Sequence, residues 1–173
     1  MTEKQEIILS TALRLFAENG YDATSTSKVA KEAGVSEGLI FRHFQNKDGL
    51  LNAIMANGME KAETYFAAIM VISDPKERIK QSLLMPFSID EDEFEFWKLT
   101  YALKWQRGYY DSSVFDSFIN SLTESFEKLG YANPVAEARF IEVIIDGVAT
   151  EILLKKKNPS PLLETILNKY ELN

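Results

Sequence analysis

The segment from Thr24 to Lys47 constrains the fold of this chain more than any other part of it. It predicts two short helices that are joined by a tight turn and followed at once by a third helix. Val29, Ala30 and Ala33 fall on one face of the first helix at helical spacing. Gly34 stands where that helix must stop, because glycine adopts a left-handed backbone at little cost. A helix, a glycine-containing turn and a second helix are typical of a helix-turn-helix motif, whose second helix enters the major groove.

This segment resembles the DNA-binding domain of the TetR family of transcriptional regulators. The family pattern runs roughly T-x-x-x-I-A-x-x-A-G-V-S-x-G-x-[LI]-Y-x-[HY]-F-x-x-K-x-x-L. The residues that fit it are Thr24, Val29, Ala30, Ala33, Gly34, Val35, Ser36, Gly38, Ile40, His43, Phe44, Lys47 and Leu50. The resemblance implies that Gly38 and Leu39 touch bases, whereas Phe41, His43 and Lys47 contact the DNA backbone. Phe41 stands where the family usually has a tyrosine whose hydroxyl reaches a phosphate.

Helical periodicity extends over nearly the whole sequence, and Pro, Gly and Asn residues fall at its breaks. The sequence therefore predicts an all-α fold of nine helices without a convincing strand. We expect them over about 3–19, 26–33, 37–43, 47–71, 75–85, 88–107, 111–129, 134–156 and 161–172. The resemblance implies a helix-turn-helix DNA-binding domain over residues 1–46 and a helical ligand-binding and dimerisation domain over residues 47–173.

The candidate DNA-contacting residues lie at the starts of helices and on the outer face of the second motif helix. They are Ser25, Thr26, Ser27, Lys28, Ser36, Glu37, Gly38, Leu39, Phe41, Arg42, His43 and Lys47. Hydroxyls, free amides and cations at a helix start suit phosphate groups. Arg42 offers a forked donor that fits a guanine edge or a phosphate.

Several of these candidates also have a purely structural interpretation. Ser25 and Ser36 can act only as helix caps. Arg42 can form a local salt bridge instead of a DNA contact, and Glu37 is expected to be solvated. A lone histidine is more often structural than functional, and His43 is the only histidine in the chain; its place in the motif favours a DNA-facing role.

The charge balance argues mildly against nucleic-acid binding. The chain has a net charge of −7, and residues 1–50 hold six cations and seven acids. DNA-binding modules are often basic. The motif outweighs the composition, because Lys28, Arg42 and Lys47 cluster around the expected reading face. We therefore expect weak nonspecific DNA affinity that falls steeply with salt.

Large aromatic side chains concentrate between Phe87 and Phe126. Each ring alone is explained by ordinary core packing, but together they predict a pocket for a small apolar or aromatic inducer. The candidate lining residues are Phe94, Trp97, Tyr101, Trp105 and Phe118. Lys98, Lys104 and Arg107 are candidates for contact with an anionic ligand, but we expect them to pair with the acidic residues at 90–95.

The helix expected at 134–156 is apolar on most sides, so it must be buried on more than one side. Its IIDGVATEIL segment resembles the segment that the family carries in a dimer-forming helix. Together with the apolar stripe of the last helix, it predicts a four-helix homodimer interface. The candidate interface residues are Ile141, Ile145, Val148, Ile152, Leu163 and Ile166.

The leading interpretation is a homodimeric regulator that binds a palindromic DNA operator and responds to a small molecule, in this family most often as a repressor. No cysteine and one histidine leave no material for a metal cluster or a His-based triad, so we expect no enzyme, cofactor or metal. Besides an enzyme, the other alternative to a regulator is a helical carrier or sensor that has lost DNA binding. The lack of a signal core or membrane-length apolar run suits a cytoplasmic protein without a membrane partner.

Overall fold

The computed structural model of the protein describes residues 1–104 and 115–172. The helices are α1 Glu3–Asn19, α2 Thr26–Glu32, α3 Glu37–Phe44, α4 Lys47–Met70, α5 Pro75–Leu84, α6 Phe94–Leu103, α7 Asp116–Lys128, α8 Pro134–Leu153 and α9 Ser160–Lys169. A 3-10 turn, Met85–Ser88, follows α5. The described residues contain nine α-helices and no strand, so the predicted all-α architecture is confirmed. None of these helices combines the length and the apolar character that crossing a membrane requires.

Two of the helix boundaries that differ from the predictions have local reasons, while the last helix also ends at Lys169, three residues before its predicted end. The sixth helix begins at Phe94 rather than at residue 88, because the 3-10 turn ends in an extended residue, Ile89. The eighth helix ends at Leu153, three residues before the predicted end. There the amides of Leu154 and Lys155 both donate to the Thr150 carbonyl, which tightens the last turn.

The first three helices share one hydrophobic core, built around Ile8, Phe16 and Ile40, each at most 1% exposed. This core does not stop at the predicted domain boundary after residue 46. It takes in Leu50, Leu51 and Ile54 of α4, and Leu99 and Leu103 of α6. We call residues 1–54 the head and the remaining described residues the body. Helix α6 belongs to the body but is buried against the head.

The body has a second core, formed by α5, α7, α8 and the ends of α4 and α9. A buried guanidinium, that of Arg78, holds three of its parts together. It donates to the Ile72 carbonyl after α4, and to the Ser121 carbonyl and Ser125 hydroxyl of α7. Since a buried cation needs satisfied donors, these bonds fix how α5 sits against α7.

Candidate nucleic-acid interface and inner cavity

The turn between α2 and α3 has a defined geometry that follows from one glycine. Gly34 adopts a φ of 67°, a left-handed conformation that an L side chain would strain. The Val35 amide donates to the Ala30 carbonyl at 3.0 Å, and the Gly34 amide donates to the Lys31 carbonyl at 3.3 Å. This pair of bonds is a Schellman motif, which ends α2 and sets the direction of α3.

Helix α3 presents one side to solvent and the other to the head core. Its exposed residues on the outer side are Gly38, Phe41, Arg42 and His43. Ile40 and Phe44 are buried beneath them, and Leu39 is half-buried against the same core. Within the described residues Arg42 takes part in no salt bridge, so the alternative of a local ion pair finds no partner there. The predicted reading face is therefore exposed.

His43 lies on this face but is also in contact with α1. Its Nδ1 is 3.3 Å from Nε2 of Gln5. Gln5 itself forms the capping box of α1 with Thr2. The start of α1 therefore lies beside the end of the candidate recognition helix.

Serine residues at the starts of the two motif helices behave differently. Ser25 caps α2, since its Oγ accepts a hydrogen bond from the Lys28 amide at 3.1 Å. Ser36 occupies the same position before α3 but makes no side-chain cap bond. Ser27 and Lys28 are exposed in the first turn of α2. Ser25 therefore acts as a helix cap, which was the structural alternative to a DNA contact. The Ser36 hydroxyl does not act as a cap.

Thr26 and Glu37 correct two expectations. The Thr26 hydroxyl donates to Oε1 of Glu37 at 2.7 Å, across the turn from α2 to α3. Thr26 is thereby committed to a protein partner instead of a phosphate, and the Glu37 carboxylate is half-buried rather than merely solvated. The bond ties the starts of the two motif helices together.

Lys47 also has a partner other than the one predicted. Its Nζ donates to the carbonyls of Tyr21, Asp22 and Thr24 at 2.8, 3.3 and 2.9 Å, and it lies 4.2 Å from the Tyr21 ring centroid. The three hydrogens of the ammonium group match these three acceptors. In this structure Lys47 therefore anchors the link between α1 and α2 to the start of α4, instead of pointing to DNA.

The body contains a cavity of about 600 Å³ between α4, α6, α7, α8 and the 3-10 turn. Three predicted residues line it, namely Trp97, Tyr101 and Phe118. Phe94 is a correction, because it does not line the cavity; the wall continues instead through Glu93 and Asp90 of the preceding turn. Trp105 lies outside the described residues.

A charged cluster in the cavity wall was not predicted. Tyr101 Oη donates to Asp146 Oδ1 at 3.1 Å, and the Lys104 ammonium forms a salt bridge with Asp146 Oδ2. Lys104 therefore pairs with Asp146 of α8. The pairing with the acidic residues at 90–95, which was expected from the sequence, is wrong. The Lys104 side chain is only 6% exposed, and a buried ammonium requires such a partner. The signal in the sequence was Asp146, the one acid within the apolar run of residues 143–149 in α8.

The predicted dimer residues of α8 are corrected by the burial of that helix. Ile141 and Val148 are buried within the same chain, and Ile145 lines the cavity. Ile152, Leu163 and Ile166 are partly exposed. The outward stripe of α8 is formed instead by Phe140, Val143, Gly147 and Leu154. Because α8 is apolar on most sides, the sequence did not reveal which side faces the core.

Comparisons with known proteins address the head and the fold separately. Residues 8–54 match the family model of bacterial regulatory proteins of the tetR family. An uncharacterized HTH-type transcriptional regulator, YerO of Bacillus subtilis, is 33% identical over 103 residues, which are 56% of this chain and 34% of the relative. The chain spans only 26% to 34% of the length of the first curated relatives that it matches.

Two solved structures cover nearly the whole chain. A regulator from Saccharomonospora viridis in complex with choline has a TM-score of 0.77 and 22% identity to this chain. The alignment covers 98% of this chain and 96% of the regulator's chain. AibR in complex with isovaleryl coenzyme A and operator DNA has a TM-score of 0.72 and 19% identity, over 96% and 97% of the two chains. At such identities the likeness establishes the fold. The match of residues 8–54 with the family model, together with the curated HTH-type relative, shows that the head carries the DNA-binding domain of the TetR family.

Proposed function

We propose that the protein is a ligand-responsive transcriptional regulator that binds a palindromic DNA operator as a homodimer. In this proposal it acts as a repressor and leaves the operator when a small molecule occupies the body cavity. The observation that carries the proposal is the exposed face of α3 around Gly38 and Arg42, held out from the head by buried Ile40 and Phe44. AibR, which has the same fold, was solved with operator DNA.

The proposed DNA contacts divide into those that read bases and those that hold phosphates. Gly38 and Arg42 are the base-reading candidates, because one lets the backbone come close and the other carries the forked donor. Ser27 and Lys28, exposed at the start of α2, are the phosphate candidates. Lys47 is removed from this direct role, and we assign it the positioning of the link before α2.

The proposed homodimer uses the outward stripe of α8 and the partly exposed side of α9. Val143 is 63% exposed and Phe140 is 42% exposed, and Leu162 of α9 is also exposed. A Cβ atom added to Gly147 would meet nothing within 4 Å, so this part of α8 leaves room for a close helix approach. Apolar residues in one stripe favour association with a second copy.

The dimer proposal can be tested with two identical substitutions. Val143→Glu should convert the dimer to a monomer, because it introduces a charge into an apolar interface. Val71→Glu, at a valine outside the stripe that is 79% exposed, should leave the dimer intact. Light scattering at micromolar concentration measures both. A monomeric unsubstituted protein would overturn the proposal.

The proposed response to a ligand runs through α6. One side of α6 carries the cavity residues Trp97 and Tyr101, while Leu99 and Leu103 on another side complete the head core. A ligand that shifts α6 therefore acts on the packing of the head. Such a ligand favours the conformation with lower operator affinity and shifts the population towards it.

The contact between α6 and α4 is unusually close, which strengthens this coupling. A Cβ atom added to Gly58 of α4 would lie 2.0 Å from the Phe96 ring of α6. Phe96 therefore packs directly against the backbone of α4, whose first turns belong to the head. Movement of α6 cannot be absorbed at this point without displacing either the ring or α4.

The operator proposal is tested by selecting duplexes from a random DNA library and measuring affinity for the recovered sequence. Arg42→Ala should weaken this affinity by about 10- to 100-fold, as expected for the loss of a base-reading arginine. Lys128→Ala, which removes an exposed cation at the end of α7, is the control and should change the affinity little. Circular dichroism checks that both variants are folded. Recovery of no preferred sequence, or equal affinities for both variants, would contradict the proposal.

A further inference from the structure

The charged residues around the cavity are mostly acidic. Its wall includes four carboxylates and two ammonium groups, those of Asp90, Glu93, Glu142, Asp146, Lys61 and Lys104. Two of the carboxylates have partners, since Asp146 binds Lys104 and Glu142 binds Arg139. Asp90, Glu93 and Lys61 form no side-chain hydrogen bond or salt bridge within the described part of the chain. Among the described residues of the wall, the unpaired charges are therefore net negative.

The sequence around Asp90 and Glu93 increases this negative potential. The segment from Asp90 to Glu95 carries five carboxylates in six residues. These charges lie where the wall passes from the 3-10 turn to the start of α6. A concentration of one sign of charge beside a low-dielectric cavity attracts ligands of the opposite sign and repels anions.

The rest of the wall suits an apolar cation. Trp97, Tyr65, Phe66 and Phe118 offer aromatic rings, and Met55 and Met59 offer polarisable thioethers. Ring faces attract cations through their quadrupole, most strongly when the site is shielded from water. Glu93, the residue before α6, and Trp97 lie one helical turn apart, and both line the cavity, so a carboxylate and a ring occupy neighbouring positions of the wall.

We infer that the cavity binds an apolar organic cation, seated between the Trp97 ring and the Glu93 carboxylate, as the small-molecule signal. This inference rests on the proposed function, since it names the class of inducer for the same cavity. Fatty acids and coenzyme A thioesters are disfavoured, because their anionic ends would meet the Asp90–Glu95 segment. Choline, a quaternary ammonium ion, occupies a solved regulator of the same fold.

The test uses two probes of the same shape and opposite charge, tetraphenylphosphonium and tetraphenylborate. Isothermal titration calorimetry of the full chain should give about tenfold or greater preference for the phosphonium. Glu93→Gln should weaken phosphonium binding by about three- to tenfold and reduce the preference. Glu91→Gln removes a nearby carboxylate that does not line the cavity, and it should change the affinity less than twofold.

Two further measurements test where the phosphonium binds and which charge class of ligand the cavity accepts. Trp97→Ala should weaken phosphonium binding while the chain keeps its helical circular dichroism spectrum. Equal or tighter binding of the borate, no binding of either probe, or an unchanged affinity in Glu93→Gln would each overturn the inference. Decanoyl coenzyme A serves as the anionic alternative, and its binding in place of the phosphonium would also overturn it.

A second readout separates this inference from the proposed function. The selected duplex is mixed with the protein, and each probe is titrated into the complex. Release by the phosphonium supports both proposals. Phosphonium binding without release supports the cation site but contradicts the proposed ligand response. Release by decanoyl coenzyme A alone supports the ligand response and overturns the cation site.

Discussion

The head and the body are both helical, but they differ in how completely their interiors are filled. The head core contains residues that are almost wholly buried, and polar bonds fix its links: Lys47 holds three carbonyls, and the buried Thr24 hydroxyl donates to the Leu15 and Gly20 carbonyls. The body also has a buried core, around Leu122 and Phe126, but contains in addition a cavity of about 600 Å³. A filled core resists deformation, whereas a cavity leaves its lining without contacts on one side.

The helix starts follow this division only in part, since α3 in the head begins without a side-chain cap and α8 beside the cavity is capped by Asn133. In the head, α1, α2 and α4 begin with side-chain caps from Thr2, Ser25 and Asn46. Of the helices around the cavity, α6 and α7 begin without a side-chain cap. Since a cap contributes about 1 kcal/mol, α6 and α7 are less firmly fixed at their starts. The filled head core and the cavity together indicate a rigid reading unit attached to a body that can adjust.

The largest expected effect compares two phenylalanines. Phe16→Ala in the head should lower the free energy of unfolding by about 3–5 kcal/mol, because it empties a filled core. Phe118→Ala should cost clearly less, since one side of that ring already faces the cavity. Urea denaturation of both variants measures the difference. Equal losses would mean that the body interior is as tightly filled in solution as the head.

Removing the Lys47 ammonium tests the anchoring of the head. Lys47→Met should lower the free energy of unfolding by about 1–3 kcal/mol, because three carbonyls lose a charged donor. Lys31→Met, at an exposed lysine of α2, should change stability by less than about 0.5 kcal/mol. Chemical denaturation gives both values. Unchanged stability of Lys47→Met with weaker operator binding would return Lys47 to the phosphate role predicted from the sequence.

The contact between Gly58 and Phe96 tests the connection between the two regions. Gly58→Ala should cost about 1–3 kcal/mol through overpacking against the ring, despite the better helix propensity of alanine. In a Phe96→Leu background the same change should cost less, because the shorter side chain leaves room. A double-mutant cycle in urea measures this coupling. Additive losses would show that the two residues do not meet as described.

The smallest expected effect concerns Tyr170 at the end of the body. Burial, together with a 3.1 Å hydrogen bond to Glu137, raises the pKa of Tyr170 above its ordinary value of about 10. The unfolded chain then loses this proton first, so the Tyr170 contribution to stability is present below about pH 10 and is lost above it. Tyr170→Phe should lower stability by about 0.5–1.5 kcal/mol at neutral pH.

The pH dependence provides the control for Tyr170. The loss of stability above about pH 10 should be smaller in Tyr170→Phe than in the unsubstituted protein. Tyr65→Phe, at an exposed tyrosine of α4, should leave the neutral-pH stability and the alkaline loss nearly unchanged. Thermal unfolding across the alkaline range compares the three proteins. An identical alkaline loss in the Tyr170 variant would contradict the assignment.

The candidate site was predictable where local sequence dictates local backbone. Gly34 marked the end of α2, and the alternation of buried Ile40 and exposed Arg42 followed from helical period. Partners of side chains were less predictable. Lys47 and Thr26 looked like phosphate ligands, but carbonyls and a carboxylate distant in sequence bind them in the structure. Nothing in the order of residues indicates that Lys47 lies beside Tyr21.

The sequence by itself determined the all-α class, the helix-turn-helix motif and the orientation of α3, because capping, glycine conformation and apolar period act within a few residues. Only the tertiary structure decided which side of α8 is outward, which residue pairs with Lys104, and that α6 is shared by head and cavity. These features depend on contacts between helices that are far apart in the chain. An apolar helix such as α8 has several sides of similar hydrophobicity, so its neighbours select the one that is buried.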